Sequence, residues 1–163
     1  MALVAVIADT HLPRGARRLP ERCVAELLRA DLILHAGDVS TLAALAELEA
    51  LGPPVRAVYG NADEAALRAT LPERVVFEVD GARIGLVHVP GPRLGREERL
   101  VRLFPGCDAV VYGHTHEARV ERLGDTWLLN PGSPTERRRS PSRSFLLLGV
   151  QGGMLEPELV ELP

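Results

Sequence analysis

Five short apolar runs, each closed by a polar cluster, constrain this chain more than any other feature it carries. They are Leu3–Ala8, Leu32–Leu34, Val55–Tyr59, Ile84–Val87 and Ala109–Tyr112. Rich in Val, Leu and Ile and ended by glycine or polar residues, they predict strands buried on both faces. Helical spacing fills the gaps between the early runs. Pro20–Ala30 has a proline suited to a first turn, with Val24, Leu27 and Leu28 along one side. Ser40–Leu51 offers Ser40 as N-cap and stops at Gly52-Pro53-Pro54; Asp63–Ala69 and Arg96–Phe104 are shorter helices. Strand–helix–strand–helix–strand order predicts a parallel sheet with right-handed crossovers. In the last third, Ala118–Leu123, Thr126–Leu129, Phe145–Val150 and Glu158–Leu162 read as hairpin strands of a second, more antiparallel sheet. Trp127 and Phe145 fall on core positions of those strands. The expectation is a mixed α/β fold forming one domain over residues 1–163.

Composition narrows the classes. With 46% hydrophobic and 25% charged residues, the chain reads as a folded globular protein. A net charge of −3 provides no global field for nucleic acid or an anionic membrane. The opening run halts at Asp9, too early for a secretory signal, and no later run approaches the roughly 18 apolar residues of a membrane span. Cys23 and Cys107, the only cysteines, read as small buried hydrophobes in a reducing compartment, and a cytoplasmic location is expected. The chain has no lysine, and Asn61, Asn130 and Gln151 are its only side-chain amides. So few thermolabile residues suggest thermostability.

The strand ends carry the chemistry. The runs finish in Asp9-Thr10-His11, His35-Ala36-Gly37-Asp38, Gly60-Asn61-Ala62-Asp63, His88, and Gly113-His114-Thr115-His116. In open α/β sheets that edge is where ligands bind. Imidazole, carboxylate and amide together suit Mn, Fe, Co, Ni or Zn better than Ca or Mg. Asp9, His11, Asp38, Asn61, His88, His114 and His116 are too many for one ion and enough for two that share a carboxylate. Glycines before Asp38, Asn61 and His114 are expected to let the backbone turn, and His114 and His116, as alternate residues, to face one way. Each piece alone also fits a cap, a turn or a satisfied core histidine; the ordered set is what points to a metal centre. Asp63 reads as a helix N-cap or as a hydrogen-bond partner to a ligand, and His35 as a core histidine or such a partner. Arg14 and Arg17, with Arg18, follow His11 in one loop and either reach a substrate phosphate or stay solvated. Arg137–Arg139 and Arg143 read as an exposed hairpin or a nucleotide contact.

This ordered set, with Asn130-Pro131-Gly132-Ser133 after it, resembles the calcineurin-like metallophosphoesterase superfamily, in particular its small single-domain YfcE-like phosphodiesterases. The resemblance implies an α/β protein: a four-layer α/β/β/α sandwich of two mixed β-sheets. It implies one ion held by Asp9, His11, Asp38 and His116 and another by Asp38, Asn61, His88 and His114, with Asp38 bridging. It implies two divalent transition-metal ions, Mn²⁺ first and Ni²⁺, Fe²⁺, Co²⁺ or Zn²⁺ as alternatives, with attack on phosphorus by a metal-bridging hydroxide. Asn61 and His88 would lie nearest the substrate phosphate. Two departures stand out: Ala62 occupies the position where many relatives place a histidine for the leaving group, and His88 is followed by Val89-Pro90-Gly91 where relatives have glycine. A phosphomonoesterase, a nuclease, or a scaffold like the small retromer subunit are the alternative readings. The expected partner is a small phosphodiester substrate, with nucleic acid disfavoured, no membrane, and self-association left open.

Overall fold

The computed structural model describes residues Met1–Pro163. Its elements run β1 (Ala2–Ile7), α1 (Glu21–Arg29), β2 (Leu32–His35), α2 (Leu42–Glu49), β3 (Val55–Ala57), α3 (Ala65–Thr70), β4 (Arg74–Val79), β5 (Ala82–Val87), α4 (Arg96–Leu103), β6 (Ala109–Tyr112), β7 (Arg119–Leu123), β8 (Thr126–Asn130), β9 (Arg143–Gln151) and β10 (Met154–Leu162). The strands form two five-stranded sheets, ordered β10-β9-β1-β2-β3 and β4-β5-β6-β8-β7. Both are mixed. β1, β2 and β3 are parallel, as are β5, β6 and β8, while β9, β10, β4 and β7 run antiparallel to their neighbours.

Alternation along each strand sorts the side chains into layers. Val4 and Val6 of β1 and Leu146 and Leu148 of β9 meet Ile84 and Leu86 of β5, Val111 of β6 and Leu129 of β8, so one core lies between the sheets. The opposite face of the first sheet, with Ala5, Ile7 and Ile33, is covered by Cys23 and Leu27 of α1, Leu45 and Leu48 of α2 and Leu67 of α3. Val110, Tyr112 and Leu128 on the outer face of the second sheet are covered by Leu100 of α4 and by Phe104. The four-layer α/β/β/α sandwich is therefore present, and strands covered on both sides explain the unbroken apolar runs. No helix is long and apolar enough to cross a membrane.

Several local expectations are corrected. The hairpin β9–β10 does not join the second sheet; it returns to the first, where β9 pairs antiparallel with β1. Hairpin turns are local signals, whereas the choice of sheet depends on which edge has an apolar face to cover. β4 was not anticipated, because Arg74-Val75-Val76-Phe77-Glu78-Val79 is an edge strand that turns only Val75, Phe77 and Val79 towards the core. α2 is capped by Thr41, whose Oγ1 accepts the Ala44 N–H at 3.1 Å, and not by Ser40. Ser40 instead has φ 100°, and its N–H is taken by Asp63. Phe145 is fully buried under the helices, and Trp127 is partly buried beside the inter-sheet core with the Arg122 guanidinium over its ring.

Candidate metal centre

The parallel strands deliver their C-terminal loops to one edge of the sandwich. There the backbone hydrogen bonds stitch loop to loop: Asp9 N–H to Gly37 O at 3.0 Å, His11 N–H to Asp38 O at 3.0 Å, and Gly113 N–H to His88 O at 3.1 Å. Asp9, His11, Asp38, His114 and His116 have φ of 54°, 46°, 58°, 74° and 61°. Left-handed backbone at a non-glycine residue costs of order 1–3 kcal/mol and persists where surrounding structure enforces it, commonly at functional sites. The turning is thus done largely by the candidate ligands themselves. Of the three preceding glycines, only Gly37 has positive φ, at 92°. A Cβ on Gly60 would land on the Asp38 carboxylate, and one on Gly113 would stand 2.9 Å from Asp9 Oδ2, so those two glycines are needed for close approach. His114 and His116 lie beyond β6 in this left-handed loop, so loop geometry and not strand alternation brings them in.

Each carboxylate is fixed by one oxygen and presents the other. Asp9 Oδ2 accepts the His114 N–H at 2.9 Å, and Asp38 Oδ1 accepts the Ala62 N–H at 2.8 Å. Asp9 Oδ1 is buried without a hydrogen-bond donor and faces His116 Nε2 at 3.4 Å, His88 Nε2 at 3.9 Å and His11 Nε2 at 4.0 Å. Asp38 Oδ2 lies 3.2 Å from His88 Nε2 and 3.7 Å from His11 Nε2. The far nitrogens of two rings are anchored to backbone: His88 Nδ1–H donates to Ala36 O at 2.7 Å and His116 Nδ1–H to Glu136 O at 3.3 Å. That leaves Nε2 of each ring turned towards the cluster, as ligating histidines are usually held. Asn61 Oδ1 joins from the third strand, 3.0 Å from His88 Nε2 and 2.9 Å from His114 Nδ1. All seven candidate ligands therefore sit in one connected group. Within it, Asp9–His11–His116 and Asp9–Asp38–His88 form two buried triads whose ligand atoms lie within 4.8 Å of one another. Asp9 is the carboxylate common to both triads, while Asp38 also faces histidines of each.

The electrostatics fit divalent cations. Burial opposes charge on His88, yet its hydrogen bond to Asp38 and the charges of Asp9 and Asp38 outweigh this and raise its pKa above the ordinary histidine value. Burial likewise opposes charge on Asp38, but the His88 bond and charge and the Ala62 N–H pull it down to about 2. His11 and His114 are lowered, chiefly by burial. Without metal, then, the carboxylates favour a proton on His88 more than burial disfavours it. An unpartnered carboxylate oxygen ringed by imidazole nitrogens is a donor set for borderline transition metals, and the two clusters fit a dinuclear site.

The remaining predicted residues divide. His35 is no ligand: its Nδ1 accepts the Gly37 N–H at 3.2 Å, so its Nε2–H donates to Thr10 Oγ1 at 2.9 Å. Complete burial lowers its pKa to about 3, and neutral His35 ties the β1 loop to the β2 loop. Asp63 is not a helix cap; Glu64 holds that place. Its carboxylate instead takes the N–H groups of Ser40 at 2.6 Å, Gly60 at 2.7 Å and Asp38 at 3.2 Å, locking the Asp38 and Asn61 loops together. Arg17 is paired with Glu136 at 3.0 Å, and Arg14 is exposed. Arg137–Arg139 are exposed as expected, yet on no hairpin: their loop crosses from β8 in one sheet to β9 in the other, and buried Ser140 anchors it by donating its Oγ–H to His116 O at 2.6 Å. The supporting strap was missed in sequence. Ser133 Oγ–H donates to Asp9 O at 2.8 Å, and Thr135 Oγ1–H to Thr10 O at 2.8 Å. Ser133 belongs to a quoted motif, whereas nothing about Thr135 or Ser140 in the linear chain signals that role.

A buried Asp/His cluster of metal-binding type, set at the strand ends of an α/β/β/α sandwich, defines the class. The chain belongs to the calcineurin-like phosphoesterase superfamily, whose domain matches residues 2–153. A probable metallophosphoesterase of Methanothermobacter thermautotrophicus is 38% identical over 160 residues, covering 97% of this chain and 91% of that protein. A phosphodiesterase of Methanocaldococcus jannaschii is 27% identical over 145 residues, covering 79% of this chain and 82% of that one. Among solved structures, wild-type Vps29 from Entamoeba histolytica complexed with Zn²⁺ is 26% identical, with a TM-score of 0.77 and 98% of each chain covered.

Proposed function

We propose that this protein is a metal-dependent phosphodiesterase working with two divalent transition-metal ions, Mn²⁺ foremost. The observation that carries this is Asp9 Oδ1, buried, without a donor, and facing Nε2 of His11, His88 and His116. Asp9, His11, Asp38 and His116 would hold one ion; Asp38, Asn61, His88 and His114 would hold the other. When bound, such ions supply Lewis acidity that activates water and neutralises phosphoryl charge. The protein's own part is positional. The Ala36 and Glu136 carbonyls fix the His88 and His116 rings, the His114 and Ala62 N–H groups fix the carboxylates, and Asn61 sets its amide oxygen between His88 and His114. Exposed Asn61 and His114 lie on the solvent side of the cluster, where a phosphate would approach.

Ala62 shapes the substrate preference. A methyl group at that position transfers no proton, and a general acid is typically worth about 10²–10⁴-fold. Esters with good leaving groups should therefore react best. The M. jannaschii phosphodiesterase supports a diester substrate, and zinc in the E. histolytica protein supports a divalent cation in this fold. EDTA-stripped protein should lose hydrolysis of bis-p-nitrophenyl phosphate and regain it with Mn²⁺, at a rate exceeding that on the monoester. A faster monoester would make it a phosphatase, and turnover that survives stripping would remove the metal mechanism. A second reading, a non-catalytic scaffold on the same fold, predicts metal-loaded protein that hydrolyses no phosphoester.

A further inference from the structure

Asn61 differs from the other candidate ligands in how it is held. Asp9, His88 and His116 are held by groups outside the Asn61 turn, whereas Asn61 stands exposed on the turn Gly60–Asp63, which also fixes Asp38 through the Ala62 N–H. From the inner side Asp63 secures that turn through the Gly60 N–H. On its outer side one residue reaches over it. Arg68, on α3, donates Nη2–H to the Asn61 carbonyl and Nε–H to the Asp63 carbonyl, the latter at 3.2 Å. Its guanidinium carbon also lies 5.9 Å from the centre of the Tyr59 ring, on the residue that leads into the turn. Arg68, Tyr59, Asn61 and His88 line one cleft of about 160 Å³ beside the cluster.

We propose that Arg68 is a positioning residue for the Asn61 ligand, a clamp that sets the pose of its amide oxygen and thereby the affinity of one ion of the pair. The planar fork of arginine spans two carbonyls at once, which a lysine ammonium on a flexible stem does not reproduce. The Tyr59 ring, 5.9 Å from the guanidinium carbon, adds a cation–π contact at the outer end of its range. The ion concerned is the one that Asn61, His88 and His114 would hold; the Asp9–His11–His116 triad has no contact with Arg68. The inference rests on the two-ion reading, and the following experiment separates the two.

Mn²⁺ is titrated into EDTA-stripped full-length wild type, Arg68→Met and Arg68→Lys, reading stoichiometry by calorimetry and the spin-coupled pair by electron paramagnetic resonance. Wild type should bind two ions and show coupling. Arg68→Met should bind one ion as wild type does and the other about 10–100-fold more weakly, the range typical for loss of a residue that orients a ligand. Its coupled signal should appear only at correspondingly higher Mn²⁺, with a melting midpoint close to that of metal-free wild type. Arg68→Lys should fall on the weak side. If Arg68→Met does not fold, Arg68→Lys decides. Two ions bound within about twofold of wild-type affinity in the variant that folds would overturn the clamp alone. Wild type that binds a single ion would overturn the two-ion reading together with it.

Discussion

At the scale of single residues, the site is a problem in buried charge. Asp9 and Asp38 are removed from water, and His88, within 3.9 Å of both carboxylates, is the imidazole whose hold on a proton they strengthen. A divalent ion and that proton compete for the same Nε2 lone pair, so metal uptake is linked to pH. The sign follows from the direction of the shift. His88 is raised above 6.5 by its Asp38 hydrogen bond and the nearby carboxylates, so it holds its proton more firmly than His11 and His114, which burial lowers, and a metal must displace that proton. Mn²⁺ binding near pH 6.5 should therefore release protons, the release should vanish at alkaline pH, and affinity should weaken as pH falls. Calorimetry in buffers of differing ionisation enthalpy measures this, and no proton release at pH 6.5 would contradict it. The candidate ligands were legible because their residue types and order are unusual. Their backbone conformations were not, since left-handed φ at Asp9, His11, Asp38, His114 and His116 is imposed by loop–loop hydrogen bonds between segments distant in sequence.

At the scale of elements, strands place the ligands and loops aim them. Helices and strands with complete apolar faces were readable from periodicity. β4 was not, because an edge strand with one inward face has a weaker signal, nor was the destination of β9–β10, because it is decided by a free edge on the first sheet. The strap from Ser133 to Ser140 is the element whose role depends most on tertiary contact. Ser133 Oγ donates to Asp9 O at 2.8 Å and accepts the Glu136 N–H at 3.0 Å, so a single hydroxyl joins the strap to the β1 loop. Ser133→Ala leaves both groups without that partner in a buried place, at a cost of about 1–3 kcal/mol. Urea unfolding of metal-free protein should show that loss, with Mn²⁺ affinity reduced as Asp9 loosens; unchanged stability and affinity would show that the strap does not support Asp9.

At the scale of the whole molecule, the sandwich protects its margins as well as its core. β3 has only three residues, and the long edge strand β10 carries Glu156, Pro157, Glu158 and Glu161, charges and a missing N–H that discourage pairing with another chain. With no lysine and Asn61, Asn130 and Gln151 as the only side-chain amides, the chain should unfold above the roughly 45–65 °C typical of mesophile domains. Calorimetric scans of metal-free protein check this, and a midpoint inside that interval would remove the expectation. By itself the sequence determined the mixed α/β class and the candidate members of the site, because apolar periodicity and the rarity of Asp, His and Asn at successive strand ends are properties of the linear chain, while the four-layer arrangement was an expectation carried by the family resemblance. Only the tertiary structure decided that Asp9 and Asp38 both face histidines of the two triads, which glycines are steric, and that Ser133, Ser140 and Arg68 hold the site from outside. Those outcomes depend on distances between loops far apart in sequence, and no local pattern encodes such distances.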